Sequence, residues 1–157
     1  MENLNLPKFA HKIKRQEDKT VIFDVIRKKF VVLTPEEWVR QHFVHYMINQ
    51  LNYSRSLINV EAGLKYNSLS KRSDIVAYAR DAAPFMLVEC KAPGVRLNKS
   101  TFEQAAMYNK TIGARYVVLT NGLEHSCFEV KPALKKIEFL NHIPTFPSVK
   151  HTGIKPD

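Results

Sequence analysis

Four consecutive apolar side chains, Phe85–Met86–Leu87–Val88, run straight into Glu89–Cys90–Lys91. A short unbroken apolar run bounded by polar turns reads as a strand in a sheet interior. Its charged end marks the point where that interior gives way to a polar cleft. Alternate side chains of a strand share a face, so Glu89 and Lys91 point the same way. Asp74, in the neighbouring candidate strand Arg72–Ser73–Asp74–Ile75–Val76, can join them. Unpaired charge there would be costly to bury, and a bound metal would relieve it.

The rest of the chain supplies a frame for that strand. Polar, basic residues 1–19 (Lys8, Lys12, Lys14, Arg15, Lys19) read as an arm. Runs 20–26 and 29–33 flank a basic turn and predict a β-hairpin. Thr34 as N-cap, Pro35 at the first helical position and Glu37 as capping-box partner open a helix with Val39, Phe43, Met47 and Leu51 at helical spacing. Segments 57–66, 73–79 and 85–91 follow as strands. A second helix runs from Leu97–Asn98–Lys99–Ser100 to about residue 112, then come strands 116–120 and 125–130, and an irregular tail starts at Pro132. The order predicts an α/β (α+β) domain over residues 20–131, a central mixed sheet flanked by helices, between the 1–19 arm and a 132–157 tail.

The chain has 157 residues, with 24 Lys plus Arg against 15 Asp plus Glu. The length suits one domain, and the basic excess suits a polyanionic partner as well as a solubilising surface. Cys90 and Cys127 form no disulfide framework and no zinc motif, so reducing cytoplasm is the expected compartment. Neither a signal peptide nor a run long enough to span a membrane is present.

Two carboxylates converging at strand ends form a hard-oxygen site suited to Mg²⁺, with the Cys90 carbonyl as a third ligand. A lysine beside the metal can orient an attacking water and offset charge on a scissile phosphate. The plainer alternative is a surface carboxylate–lysine pair, with Asp74 held by Arg72 or Lys71. His42 and His45, three apart on the first helix, lack a third ligand and read as packed or exposed. The Cys90 thiol faces away from Glu89 and Lys91, into packing.

Asp74, then Glu89–Cys90–Lys91, then Gln104–Ala105–Ala106–Met107–Tyr108 on a helix, resembles the PD-(D/E)xK nuclease superfamily. The text around these residues (Thr34–Pro35–Glu36–Glu37–Trp38, Lys71–Arg72–Ser73–Asp74, Glu89–Cys90–Lys91–Ala92–Pro93, Leu119–Thr120–Asn121–Gly122) is similar to the N-terminal nuclease domain of type I restriction R subunits. The similarity extends over about residues 20–130. It implies a restriction-endonuclease-like three-layer core and a Mg²⁺-dependent DNA endonuclease, with Mn²⁺ as a substitute ion. Asp74 and Glu89 would bind metal, Lys91 would handle the water or the transition-state charge, and Gln104 would brace the site. Tyr108 lies one turn further along, toward DNA or in packing. The superfamily often adds an acidic residue from the first helix, and Glu36 is preferred here because Glu37 is expected in the cap. Arg96 and Lys99, just past the active-site strand, are candidate DNA contacts.

There is no Walker A motif, and 157 residues cannot hold an ATP-driven motor. The expectation is a stand-alone or shortened nuclease domain, or one that works with motor, specificity or modification subunits. The alternative is a non-catalytic DNA-binding or partner-dependent module that keeps the nuclease fold.

Overall fold

The computed structural model describes residues 1–66 and 69–148, the side chains of 62–66 and 69–72 excepted. Nearest the N-terminus lies an antiparallel sheet of β1 (Ile13–Gln16), β2 (Lys19–Asp24) and β3 (Lys29–Val32). The expected hairpin is its second half. Residues 13–16, assigned to the arm from sequence, add the third strand through a tight turn in which Glu17 and Asp18 take φ of 47° and 61°.

After helix α1 (Pro35–Asn49) comes a sheet ordered β4 (Ile58–Tyr66), β5 (Leu69–Tyr78), β6 (Pro84–Cys90), β7 (Tyr116–Thr120), β8 (His125–Lys131) and β9 (Lys136–Leu140). Its pairs are antiparallel except β6–β7, where helix α2 (Lys99–Ile112) provides the crossover that parallel neighbours need. Strand alternation divides the core cleanly. Ile75, Ala77, Met86, Val88, Cys90 and Val118 pack with Val39, Phe43 and Met47 of α1. Val76, Leu87, Val117 and Leu119 pack with Ala105 and Tyr108 of α2. The domain is thus layered helix, sheet, helix, as expected.

The caps follow local chemistry. Thr34 Oγ1 accepts from the Glu37 amide at 3.0 Å, and Asn98 and Thr101 cap α2 reciprocally. The Glu37 side chain, however, leaves the expected capping box for arginine partners described below. A buried guanidinium offers a carboxylate more than an exposed amide does.

Two boundaries shift. Strand β9 pairs with β8 from Cys127–Leu140 to Lys131–Lys136, so the sheet continues beyond residue 131. Phe139 meets Phe102 and Phe128 at 5.7 Å each, contacts that exist only once α2 and β8 are in place. Further on, the Tyr53 hydroxyl donates to the Pro144 carbonyl at 2.8 Å, binding this stretch to the α1 side. The end of the expected tail, residues 149–157, lies outside the described residues. Among the described residues no helix is long and apolar enough to cross a membrane.

The arm lies on α1. The Asn5 amide donates to the Gly122 carbonyl at 2.7 Å, and Trp38 Nε1 donates to the Glu2 carbonyl at 3.0 Å. Gly122 has φ of 83°, and a Cβ there would stand 2.8 Å from the Leu4 side chain, so glycine is what lets the arm close down. Phe9 stacks on His45 at 4.2 Å and meets His42 edge-on at 4.8 Å, while Trp38 meets His42 at 4.3 Å. Both histidines are therefore packed rather than ligating.

Burial holds the His42 and His45 pKa values below the ordinary 6.5. The fold prefers them neutral, so their contribution is present above 6.5 and is lost as pH falls through the lowered values. Acidification to about pH 5 should loosen the arm before the domain unfolds. Trp38, the one tryptophan in the chain, should report this as an emission change that precedes loss of far-ultraviolet circular dichroism. Coincident transitions would mean that the arm is not the acid-sensitive element.

Candidate active site

The α2 face of the sheet ends in carboxylates. Asp74 shares a face with Val76, and Glu89 shares one with Leu87, so both sit where the apolar layer under α2 stops. They lie one residue beyond the paired Ile75 and Val88, on adjoining strands, and both are buried, at 9% and 7% exposure. The β4–β5 register, Val60 with Ile75 and Ala62 with Ser73, sets Glu61 across from Asp74 on the other side. Glu61 takes φ of 51°, an uncommon conformation for a non-glycine residue in a strand.

Two arginines tie these acids to the rest of the fold. Arg40 of α1 directs Nη2 to Asp74 Oδ1 at 2.6 Å, to Glu36 at 3.2 Å and to Glu61 at 3.5 Å, and its Nη1 to Glu37. Asp74 Oδ2 accepts from the Cys90 amide at 2.8 Å. Arg27, in the turn after β2, holds Asp24 at 2.7 Å, Glu61 at 3.1 Å and Glu37. Gln41 donates to both Asp24 and Glu37. Burial alone would lower the Arg40 pKa, but Asp74 and Glu37 more than offset it and the net shift is upward. The pairing of Asp74 with Arg72 or Lys71 concerns side chains outside the described residues.

On the α2 side, Glu89, Lys91, Thr101 and Gln104 line one small cleft of about 20 Å³, room for a single water. Three of the expected site residues thus meet at one point. Glu36 does not line this cleft; it stands on the Asp74 side, through Arg40 at 3.2 Å. Its carboxyl is raised above the usual range by burial first and Asp74 next, while Arg40 and Lys91 pull it back. Cys90 turns its thiol into the α1 layer, where burial pushes its pKa up, as expected of a packed and unreactive thiol. Arg96 and Lys99 are exposed beyond the cleft, and Lys99 pairs loosely with Glu103 at 3.7 Å. Tyr108 departs from its assignment as a DNA contact. It is 2% exposed, packed among Val76, Leu87 and Ala105 and hydrogen-bonded to Ser73, so it anchors α2 on the sheet.

Whether a divalent ion suits this place is a question of donor chemistry. The carboxylates of Asp24, Glu36, Glu37, Glu61, Asp74 and Glu89 outnumber Arg27, Arg40 and Lys91 around them. Each Asp74 oxygen keeps a second lone pair beyond its present bond. Among the described residues no three His, Cys, Asp or Glu side chains form a ready cage. Mg²⁺ commonly uses one or two carboxylates together with water and phosphate oxygens, so the donor set fits it.

The family model described as type I restriction enzyme R protein N terminus matches residues 35–144, from the first turn of α1 to just past β9. The chain belongs to this family. Its fold is similar to a fragment structure described as an HsdR subunit of a type I restriction enzyme from Vibrio vulnificus YJ016. The TM-score is 0.50 at 21% identity, over 72% of this chain and 24% of that one. The chain therefore spans about a quarter of that HsdR fragment. No curated protein matches it.

The R-protein N-terminal domain carries site residues that sequence reading missed. Arg40 was visible in principle, since Glu36 and Glu37 precede it by four and three residues on one helix, the spacing of ion pairs. Arg27 pairs locally with Asp24, but its links to Glu37 and Glu61 join distant segments and gave no such signal.

This network separates the two glutamates of the R-protein domain. Glu37→Gln removes a carboxylate buried between two arginines and should lower stability by about 3–5 kcal/mol. Ionised Glu36 opposes folding, because its pKa is raised: its contribution is complete below about 4.5 and is lost as pH rises through the raised value. Glu36→Gln should leave stability at neutral pH equal to or above that of the wild type, a difference that closes toward acid pH. Urea unfolding across pH measures both, and a neutral Glu37→Gln would contradict the network.

Proposed function

We propose that the domain is a Mg²⁺-dependent DNA endonuclease of the PD-(D/E)xK kind, hydrolysing phosphodiester bonds as the nuclease part of a type I restriction system. The observation that carries this reading is the meeting of Glu89, Lys91 and Gln104 at a water-sized cleft beside Asp74, in a chain of the R-protein N-terminus family. Asp74 and Glu89, with the Cys90 carbonyl, would hold Mg²⁺, or Mn²⁺ in its place. The bound ion would supply Lewis-acid charge at the scissile phosphate and a more acidic water.

The chain's own groups do the rest. The Lys91 ammonium offsets charge building on the phosphate, and the Gln104 amide orients the water in the cleft. Arg40 fixes the Asp74 carboxylate, and Glu36 adds a carboxylate at the edge. Arg96 and Lys99 meet phosphates along the bound strand. Target choice and ATP-driven movement would come from specificity, modification and motor partners. A second reading, a DNA-binding or partner-dependent module, draws on Arg40, which already occupies Asp74.

Supercoiled plasmid with Mg²⁺ or Mn²⁺ tests this. Wild type should nick it, EDTA should stop the reaction, and Asp74→Ala and Lys91→Ala should each slow it at least about 100-fold. Equal nicking by all three proteins would sink the claim. Mg²⁺ should also raise the melting temperature of the wild type and leave that of Asp74→Ala unmoved.

A further inference from the structure

The N-terminal sheet has two unlike faces. On β2, Ile22 and Asp24 are buried, and Asp24 accepts from Gln41 of α1 at 2.8 Å, so their face lies on the domain. The other face carries Lys19, Val21 and Phe23, with Val21 buried at its centre between the flanking strands and Lys19 and Phe23 accessible around it. Register sets Lys14 and Val32 on either side of Val21 and Phe30 beside Phe23, and the Phe23 amide donates to the Lys12 carbonyl at 2.9 Å. The outward face is therefore a pair of phenylalanines bordered by Lys12, Lys14 and Lys19, with Glu17 and Asp18 confined to the turn at one end.

The rings are displayed, not sealed. Phe23 and Phe30 meet edge to face at 5.4 Å and are half-buried, and neighbouring Val32 is 47% exposed. The Lys14 ammonium stands 4.0 Å over the Phe30 ring and that of Lys12 5.9 Å from the Phe23 ring. A ring face that an exposed ammonium can cover is a face that a base can reach.

The geometry points to this face as a docking surface for single-stranded DNA, with Phe23 and Phe30 stacking on bases and Lys12, Lys14 and Lys19 meeting the backbone. Aromatic groups between cations are the pattern that unpaired strands use. A duplex keeps its bases inside and would engage the lysines alone, and an acidic peptide would satisfy the charge but not the rings. The surface is joined to the site, since Arg27 in the β2–β3 turn pairs with Glu37 and with Glu61 at 3.1 Å. The inference rests on the reading that the domain acts on DNA and adds which form of DNA it grips.

Fluorescence anisotropy in EDTA tests it, using the full chain with a labelled single-stranded oligodeoxynucleotide and with its duplex. The double variant Phe23→Leu/Phe30→Leu should weaken single-strand binding about tenfold and leave the duplex unchanged. Lys12→Gln/Lys14→Gln should reduce the slope of log K against log salt by about 1.4 on the single strand. Unchanged single-strand affinity in the phenylalanine variant, or equal losses on both DNAs, would overturn the proposal. So would oligoglutamate that competes with the oligonucleotide equally well for wild type and variant, which marks an acidic protein partner. Photocrosslinking of wild type to an iododeoxyuridine strand needs no variant to fold: adducts on Phe23 or Phe30 support the surface, and adducts confined elsewhere reject it. These readouts need no divalent ion, so failure of plasmid nicking and failure of this surface are separate results.

Discussion

The site end of the domain depends on one buried cation. The Arg40 guanidinium, on a helix enclosed by sheet, meander and arm, reaches Asp74 at 2.6 Å and also Glu36, Glu37 and Glu61. Without it, buried carboxylates from a helix and two strands would repel one another across a low-dielectric interior. Its planar fork can serve several acceptors at once, which a lysine ammonium on a flexible stem does less well. It is charged at every relevant pH, so the acids that gather around it have a constant counter-charge.

Arg27 extends the arrangement outward. By joining Asp24, Glu37 and Glu61 it makes the N-terminal meander part of the same electrostatic unit as the β4–β5–β6 strand ends. This explains why α1 is buried along nearly its whole length, polar Gln41 included. The helix is amphipathic toward one sheet, while its polar side finds partners in the other. The opposite cleft, with Glu89, Lys91 and Gln104, stays small and open to solvent. Negative charge is in excess at the boundary between the two.

Much was legible from particular residues. The apolar run Phe85–Val88 ending in Glu89 predicted a central strand opening on a polar cleft, and β6 is that strand, with both neighbours in place. Thr34 and Asn98 announced their helices correctly. Gln104, separated from Glu89 by a loop and a helical turn, was placed at the site by resemblance, and the structure brings them to one cleft. Tyr108 was left open between DNA contact and packing, and the structure packs it. Helical spacing puts it on the Gln104 side, but the depth of each position depends on how α2 sits on the sheet. Strand β9 was missed because Lys136–Leu140 is short, follows Pro132 closely and stays largely exposed, so its pairing with β8 is what makes it a strand.

The sequence by itself determined the period of each segment, the caps, and the faces on which Asp74, Glu89 and Lys91 would lie, since all of these follow from neighbours within a few residues. Tertiary structure alone decided which distant segments supply partners to the charges. Glu37 sits three residues from its N-cap and could have closed a capping box, yet Arg27 claims it from a turn ten residues earlier in the chain. Such choices turn on desolvation and on which opposite charge reaches a carboxylate when both leave water, and distance in sequence carries no record of either.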